Sequence, residues 1–195
     1  MILTTLIAAV AMVPAVSGDG PIKCAVMHSP TNEKSVAMEY AGARYPMCCA
    51  GCPAAFAKEP KKFLEGAAKS NDTIGATLYC AVSGEKLDWT KVKSSTDYKG
   101  IRYGFCCADC KTAFDKDPAK SAKAPEKESL VCPVSGETIK AYSEAAGYID
   151  HEGVRYYTCC PDCLGKLRKD PAGVIAAGKA KVTVPVVMAA PKAKS

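Results

Sequence analysis

Apolar and polar positions follow a pattern that returns three times along the chain. After an apolar run over residues 2–13, two short mixed segments, Val36–Tyr40 and 44–47, flank a glycine. They predict two strands joined by a turn. Gly42, like Gly100 and Gly153 further along, supplies the positive φ that such a turn demands. A helix is expected over residues 50–58. An acid and a proline then follow, suited to the N-cap and first position of a second short helix. The expected second helices are 60–67, 118–122 and Pro171–Ala177. Residues 70–76 and 121–129 read as linkers, and the stretch from 180 to 195 as a disordered basic tail, although 182–188 has the composition of a strand.

The repetition becomes explicit when the copies are laid over one another. Relative to each adjacent Cys pair, Gly42, Gly100 and Gly153 stand at minus six, Arg44, Arg102 and Arg155 at minus four, and Tyr45, Tyr103 and Tyr156 at minus three. Each pair opens Cys-Cys-x-x-Cys, and an apolar residue (Phe56, Phe114, Leu167) lies four beyond the last Cys. Glu59-Pro60, Asp117-Pro118 and Asp170-Pro171 close the copies, which begin at Cys24-Ala-Val, Cys80-Ala-Val and Cys132-Pro-Val. This is a triplication, and repeats of this kind govern the fold. The expected class is small α+β, built of three tandem modules at 19–70, 76–125 and 128–179, each a β-hairpin followed by two short helices. They are pictured as beads with modest contacts, each folding on its own.

Units of roughly 50 residues bury too little surface to fold without a staple. The staple available is cysteine. The chain's 12 cysteines fall into three groups of four: Cys24, Cys48, Cys49 and Cys52; Cys80, Cys106, Cys107 and Cys110; Cys132, Cys159, Cys160 and Cys163. Each Cys-Cys-x-x-Cys lies where a strand passes into a helix, and amides at a helix N-terminus favour thiolate, the form that binds metal. The hairpin brings the isolated first cysteine back to the helix start. Four converging thiolates suit tetrahedral zinc, and fewer, with a thioether, suit Cu(I).

These residues resemble the YHS and TRASH metal-binding modules: a first Cys with Pro-Val, a G-x-x-Y strand, C-x-x-x-C, an aromatic four residues on, then Asp-Pro. The third copy, with Cys132-Pro-Val-Ser-Gly and Tyr156-Tyr-Thr-Cys-Cys-Pro-Asp-Cys163, fits best. The resemblance implies treble-clef-like modules engaged in heavy-metal sensing, trafficking or resistance. It implies ligands at Cys24, Cys48 and Cys52 and their equivalents. Two departures stand out. Met27, Ser83 and Ser135 occupy a place where such modules often have a second knuckle cysteine, and Cys49, Cys107 and Cys160 are additional. The ligand count is thus expected to be kept by relocation, with all twelve cysteines as ligands.

The competing reading is a disulfide framework, ordinary for an exported chain with an even cysteine number. It would make the protein a stapled structural or protein-interaction module without metal. Adjacent cysteines need different partners, so pairing would crowd all four sulfurs of a copy together, as a metal site also does. A thioredoxin-like role lacks the strand-helix-strand setting of its C-x-x-C.

Export is expected from the N-terminus. The apolar run has signal-peptide length and Ala15-Val16-Ser17 is a small-residue cleavage site, although a basic n-region is missing. Residues 1–18 are read as a signal peptide and the mature chain as secreted or periplasmic, with no later span to insert in a membrane. The net charge of +6 comes mostly from linker and tail lysines interspersed with acids, which disfavours nucleic acid. The partners expected are a metal ion and an unidentified protein. Met27, His28 and Met47 offer a softer, copper-leaning set in the first copy or ordinary turn and core residues. The repeated arginine offsets thiolate charge or covers the helix; His151 is read as hairpin surface and Trp89 as packing within the second copy. No Ser-His-Asp set, paired-carboxylate cleft or phosphate loop is present, so no enzymatic activity is expected.

Overall fold

The computed structural model describes residues 16–32 and 35–191. The signal-peptide expectation for 1–18 therefore lies almost wholly outside the described residues. The chain is a small mixed α+β fold with, among the described residues, six α-helices and two sheets.

Each copy contributes a hairpin: β2 (Val36–Tyr40) and β3 (Ala43–Met47), then β5 (Ser95–Tyr98) and β6 (Ile101–Gly104), then β8 (Gly147–His151) and β9 (Val154–Thr158). Both central turn residues take positive φ in every copy: Ala41 at 50° and Gly42 at 80°, Lys99 at 48° and Gly100 at 82°, Glu152 at 49° and Gly153 at 78°. This is the two-residue turn whose twist matches that of the strands. Two helices follow each hairpin: α1 (Cys52–Lys58) and α2 (Pro60–Ser70), α3 (Ala108–Lys116) and α4 (Pro118–Ser121), α5 (Pro161–Lys169) and α6 (Pro171–Ala177). Asp117 and Asp170 cap the second helices by accepting from the amides of Lys120 and Gly173, whereas Glu59 makes no such bond.

The picture of separate beads is corrected. The linker residues form β4 (Gly75–Thr77), which pairs antiparallel with β3 and parallel with β6. With β1 (Val16–Ser17) and β10 (Met188–Ala189) at its edges, one seven-stranded sheet runs β1-β5-β6-β4-β3-β2-β10 through the first two copies. The physical reason is that the second strand of each hairpin would otherwise expose unpaired backbone groups along an open edge. A strand of small residues closes two such edges at once, and Gly75 is required there: a Cβ would lie 2.6 Å from the Tyr45 ring. In the third copy β7 (Lys127–Ser129), also expected as linker, closes β9 by parallel pairing, giving the sheet β7-β9-β8.

The apolar interior crosses the same boundaries. One cluster joins Tyr40, Tyr45, Met47 and Phe56 to Tyr98, Ile101, Tyr103, Phe105 and Phe114. A second joins Leu78 and Tyr79, at the start of the second copy, to Ile139, Tyr142, Tyr148 and Tyr157 of the third. The repeated tyrosine and phenylalanine stack with ring centroids 4.9 Å apart in Tyr45–Phe56 and 4.8 Å apart in Tyr103–Phe114. Such pairs add about 1 kcal/mol beyond the area they bury. The tail differs from the expected disorder over its described part. Thr183 exchanges two backbone hydrogen bonds of 2.8 Å with Glu128, and β10 adds to the edge of β2.

Candidate metal centre

The first cysteine of each copy sits in the neck of a tight loop. The amide of Cys24 donates to the Ser29 carbonyl at 2.8 Å and the Cys24 carbonyl accepts from His28 at 2.9 Å. Cys80 repeats this with Glu85 and Gly84, and Cys132 with Glu137 and Gly136. The loop turns at a left-handed residue in each case, His28, Gly84 or Gly136. The second cysteine follows the hairpin and the last lies in the first turn of the helix, as at Cys52, Cys110 and Cys163. Aromatic or leucine packing of that helix on its hairpin fixes the separation of these elements: Phe56, Phe114 and Leu167 are each fully buried.

Three triads result: Cys24, Cys48 and Cys52; Cys80, Cys106 and Cys110; Cys132, Cys159 and Cys163, with the sulfurs of each all within 4.8 Å of one another. Individual separations are 3.7 Å for Cys24–Cys52, 3.8 Å for Cys48–Cys52, 3.5 Å for Cys106–Cys110 and 3.8 Å for Cys159–Cys163. Thiolates on a tetrahedral zinc, with bonds of about 2.3 Å, stand about 3.8 Å apart. The donor set and its spacing therefore fit a soft metal ion.

The thiols of a triad differ in acidity. Burial works against ionisation of the first cysteine, but hydrogen bonds outweigh it, from backbone amides at Cys24, from backbone amides and the Ser83 hydroxyl at Cys80, and from the Ser135 hydroxyl and backbone amides at Cys132; Cys24 is lowered, and Cys80 and Cys132 come to about 7. Burial, together with hydrogen bonding to the neighbouring thiols, pushes Cys52, Cys110 and Cys163 well above the ordinary thiol range. A bound cation would reverse that penalty by displacing the protons.

The fourth cysteines are placed differently. Cys107 and Cys160 are N-caps: their sulfurs accept from the amides of Cys110 and Cys163 at 3.4 Å, and neither belongs to a triad. Cys49 lies outside its triad too, but its sulfur is 2.8 Å from that of Cys52. An oxygen approaches instead in two copies, with the Ser83 hydroxyl 3.4 Å from Cys106 and the Ser135 hydroxyl 3.3 Å from Cys159.

The remaining candidates take other roles. Met27 is exposed, Met47 lies in the core, and His28 Nδ1 is 2.6 Å from Asp72. The repeated arginines form ion pairs across their hairpins, Arg44 with Glu39, Arg102 with Asp97 and Arg155 with Asp150. That replaces the expected offset of thiolate charge. The acids stand nine positions before the Cys pair in every copy, a signal present in the same overlay but not used. His151 is half-buried on the hairpin. Trp89 is exposed and donates from Nε1 to the Thr77 carbonyl at 2.8 Å.

These features define a protein with three cysteine clusters able to hold metal ions. Among known families, the YHS domain matches residues 82–124, within the second copy. That domain is associated with metal binding. No curated protein and no solved structure matches the chain. Among the described residues, no helix is long and apolar enough to cross a membrane.

Proposed function

We propose that the chain binds soft metal ions, zinc or Cu(I), through clustered cysteine thiolates, with up to three equivalents per chain. The observation that carries this reading is the convergence of three sulfurs in each copy at separations suited to one ion. Extension of the YHS likeness from the second copy to all three rests on the shared offsets of Gly, Arg, Tyr, Cys and Pro. The succession of tight loop, hairpin and helix supports a treble-clef-like description of each copy. Sequestration or delivery in an extracytoplasmic compartment is the role we infer, on the strength of the N-terminal apolar run and small-residue site. The chemistry is binding and not catalysis.

The test is to purify the chain without reductant or chelator and to count metal and thiols. The expected result is three equivalents of metal, with thiols that become titratable when the metal is removed. Metal-free protein without titratable thiols would establish the disulfide-stapled module instead.

A further inference from the structure

The three fourth cysteines occupy equivalent sequence positions but not equivalent places. In the second and third copies the sulfur turns inward to cap α3 or α5. In the first copy the N-cap position falls to Gly51, whose φ and ψ are already helical. Cys49 is not the N-cap residue; its sulfur still meets the amides of Gly51 and Cys52, but it rests 2.8 Å from the Cys52 sulfur. The other two sulfurs near Cys52 stand at 3.7 and 3.8 Å. Cys49 is exposed and Cys52 is 2% exposed. An accessible thiol thus touches a sheltered one that belongs to the triad.

We infer that Cys49 and Cys52 form an oxidative modification site that disarms the first metal centre and has no counterpart in the other two copies. The inference rests on the proposed metal binding for its consequence, but not for its chemistry. A hydroperoxide is the oxidant class. The exposed Cys49 sulfur attacks the O–O bond, which breaks to give a sulfenic acid on Cys49 and, with hydrogen peroxide, one water. The Cys52 sulfur then displaces the sulfenic oxygen as a second water, and the S–S bond forms. Two thiols lose two electrons and two protons, and the peroxide accepts both. Cys24 and Cys48 are left as the first copy's thiols, too few to close a site.

Cys107 and Cys160 are N-caps, and the sulfur contacts of their copies, Cys106–Cys110 at 3.5 Å and Cys159–Cys163 at 3.8 Å, are longer than that of Cys49 with Cys52 and do not involve them. In those copies a disulfide to Cys110 or Cys163 would have to give up that cap. The difference between the copies is geometric, and it coincides with Gly51 standing where the other copies carry Asp109 and Asp162.

The experiment uses the full chain, reduced and loaded with zinc, treated with limiting hydrogen peroxide, then unfolded in denaturant with a chelator, alkylated with iodoacetamide and digested with trypsin. The peptide of residues 45–58 should have lost two hydrogens and carry one alkyl group, on Cys48, while Cys107, Cys110, Cys160 and Cys163 remain alkylated. One of three zinc equivalents should be released, and Cys49→Ser should keep that equivalent under the same treatment. Oxidation of the second or third copy first, or a Cys48–Cys52 bond in the first, would overturn the inference. A reduced chain that takes up no zinc would defeat the metal reading alone, since the order of disulfide formation remains legible from the thiols.

Discussion

Arg102 lies directly across its hairpin from Asp97, and its Nε and Nη2 donate to the two carboxylate oxygens of Asp97 at 2.8 Å each. Both side chains are largely sheltered, at 11% and 18% exposure. The arrangement is the paired, two-pronged contact that arginine makes with a carboxylate. It recurs at the same register in the third copy, between Arg155 and Asp150, where the guanidinium also lies 3.8 Å from the Tyr148 ring centroid. In the first copy Arg44 meets only one oxygen of Glu39, whose other oxygen accepts from the Ser143 amide of the third copy at 2.9 Å.

If these pairs hold the hairpins and do not serve the thiolates, then Asp97→Asn should lower stability by about 3 kcal/mol, because it leaves a sheltered guanidinium uncompensated. The metal count should stay at that of the parent. Urea midpoints and metal analysis on the same preparation read both, and a loss of metal without a loss of stability would return the arginine to the metal centre.

The two roles assigned within the third copy separate cleanly by substitution. Cys163→Ser removes a member of the triad and should cost one equivalent of metal. Cys160→Ala should keep the metal but lose the cap on α5, at about 1 kcal/mol, and Cys160→Ser should restore it, serine being a favoured cap. Metal-binding titration and thermal denaturation of the three variants measure the two effects. A lost equivalent in both Cys160 variants would make this thiol a ligand.

Glu128 is fully buried, with Oε1 accepting from the Tyr142 hydroxyl and Oε2 without a partner. Burial raises it to about 7, against the opposing influence of Tyr142, Arg155 and the Val186 amide; Tyr40, Tyr79 and Tyr157 feel its charge. A carboxyl raised by folding binds its proton more tightly in the folded state than in the unfolded one. Its stabilising share is therefore present in acid and lost as pH rises through about 7. Between pH 5 and 7 the parent should lose stability relative to Glu128→Gln, by at most about 3 kcal/mol. Because the Tyr142 hydroxyl also contacts the Val186 backbone, hydrogen exchange at Val186 should quicken over the same interval. Urea titrations of both proteins at each pH decide it; parallel curves would remove Glu128 from the account.

Gly75 tests the fusion of the first two copies. A side chain there meets the Tyr45 ring at 2.6 Å and the Arg44 carbonyl oxygen at 3.0 Å. Gly75→Val should cost about 2 kcal/mol through overpacking, and amides of α1 and α3 should lose protection together. The amides of α5 should be spared. Loss confined to the first copy would favour independent units after all.

The sequence by itself determined the elements that depend on near neighbours. The offsets around each Cys pair announced the triplication. Gly42, Gly100 and Gly153 marked the hairpin turns, and Asp117-Pro118 and Asp170-Pro171 marked helix starts; each acts through its own backbone angles or an amide a few residues away. Cysteine density also pointed to the clusters, because so short a unit has few other means of holding itself together. Only the tertiary structure decided which sulfurs meet, since Cys107 and Cys160 share with Cys49 a sequence position but not an orientation. It likewise decided that residues 75–77 and 127–129 are strands, through hydrogen bonds to hairpins they do not belong to. Open strand edges are satisfied by whatever segment the folded chain brings alongside them, and a segment so short carries no periodic signature of its own.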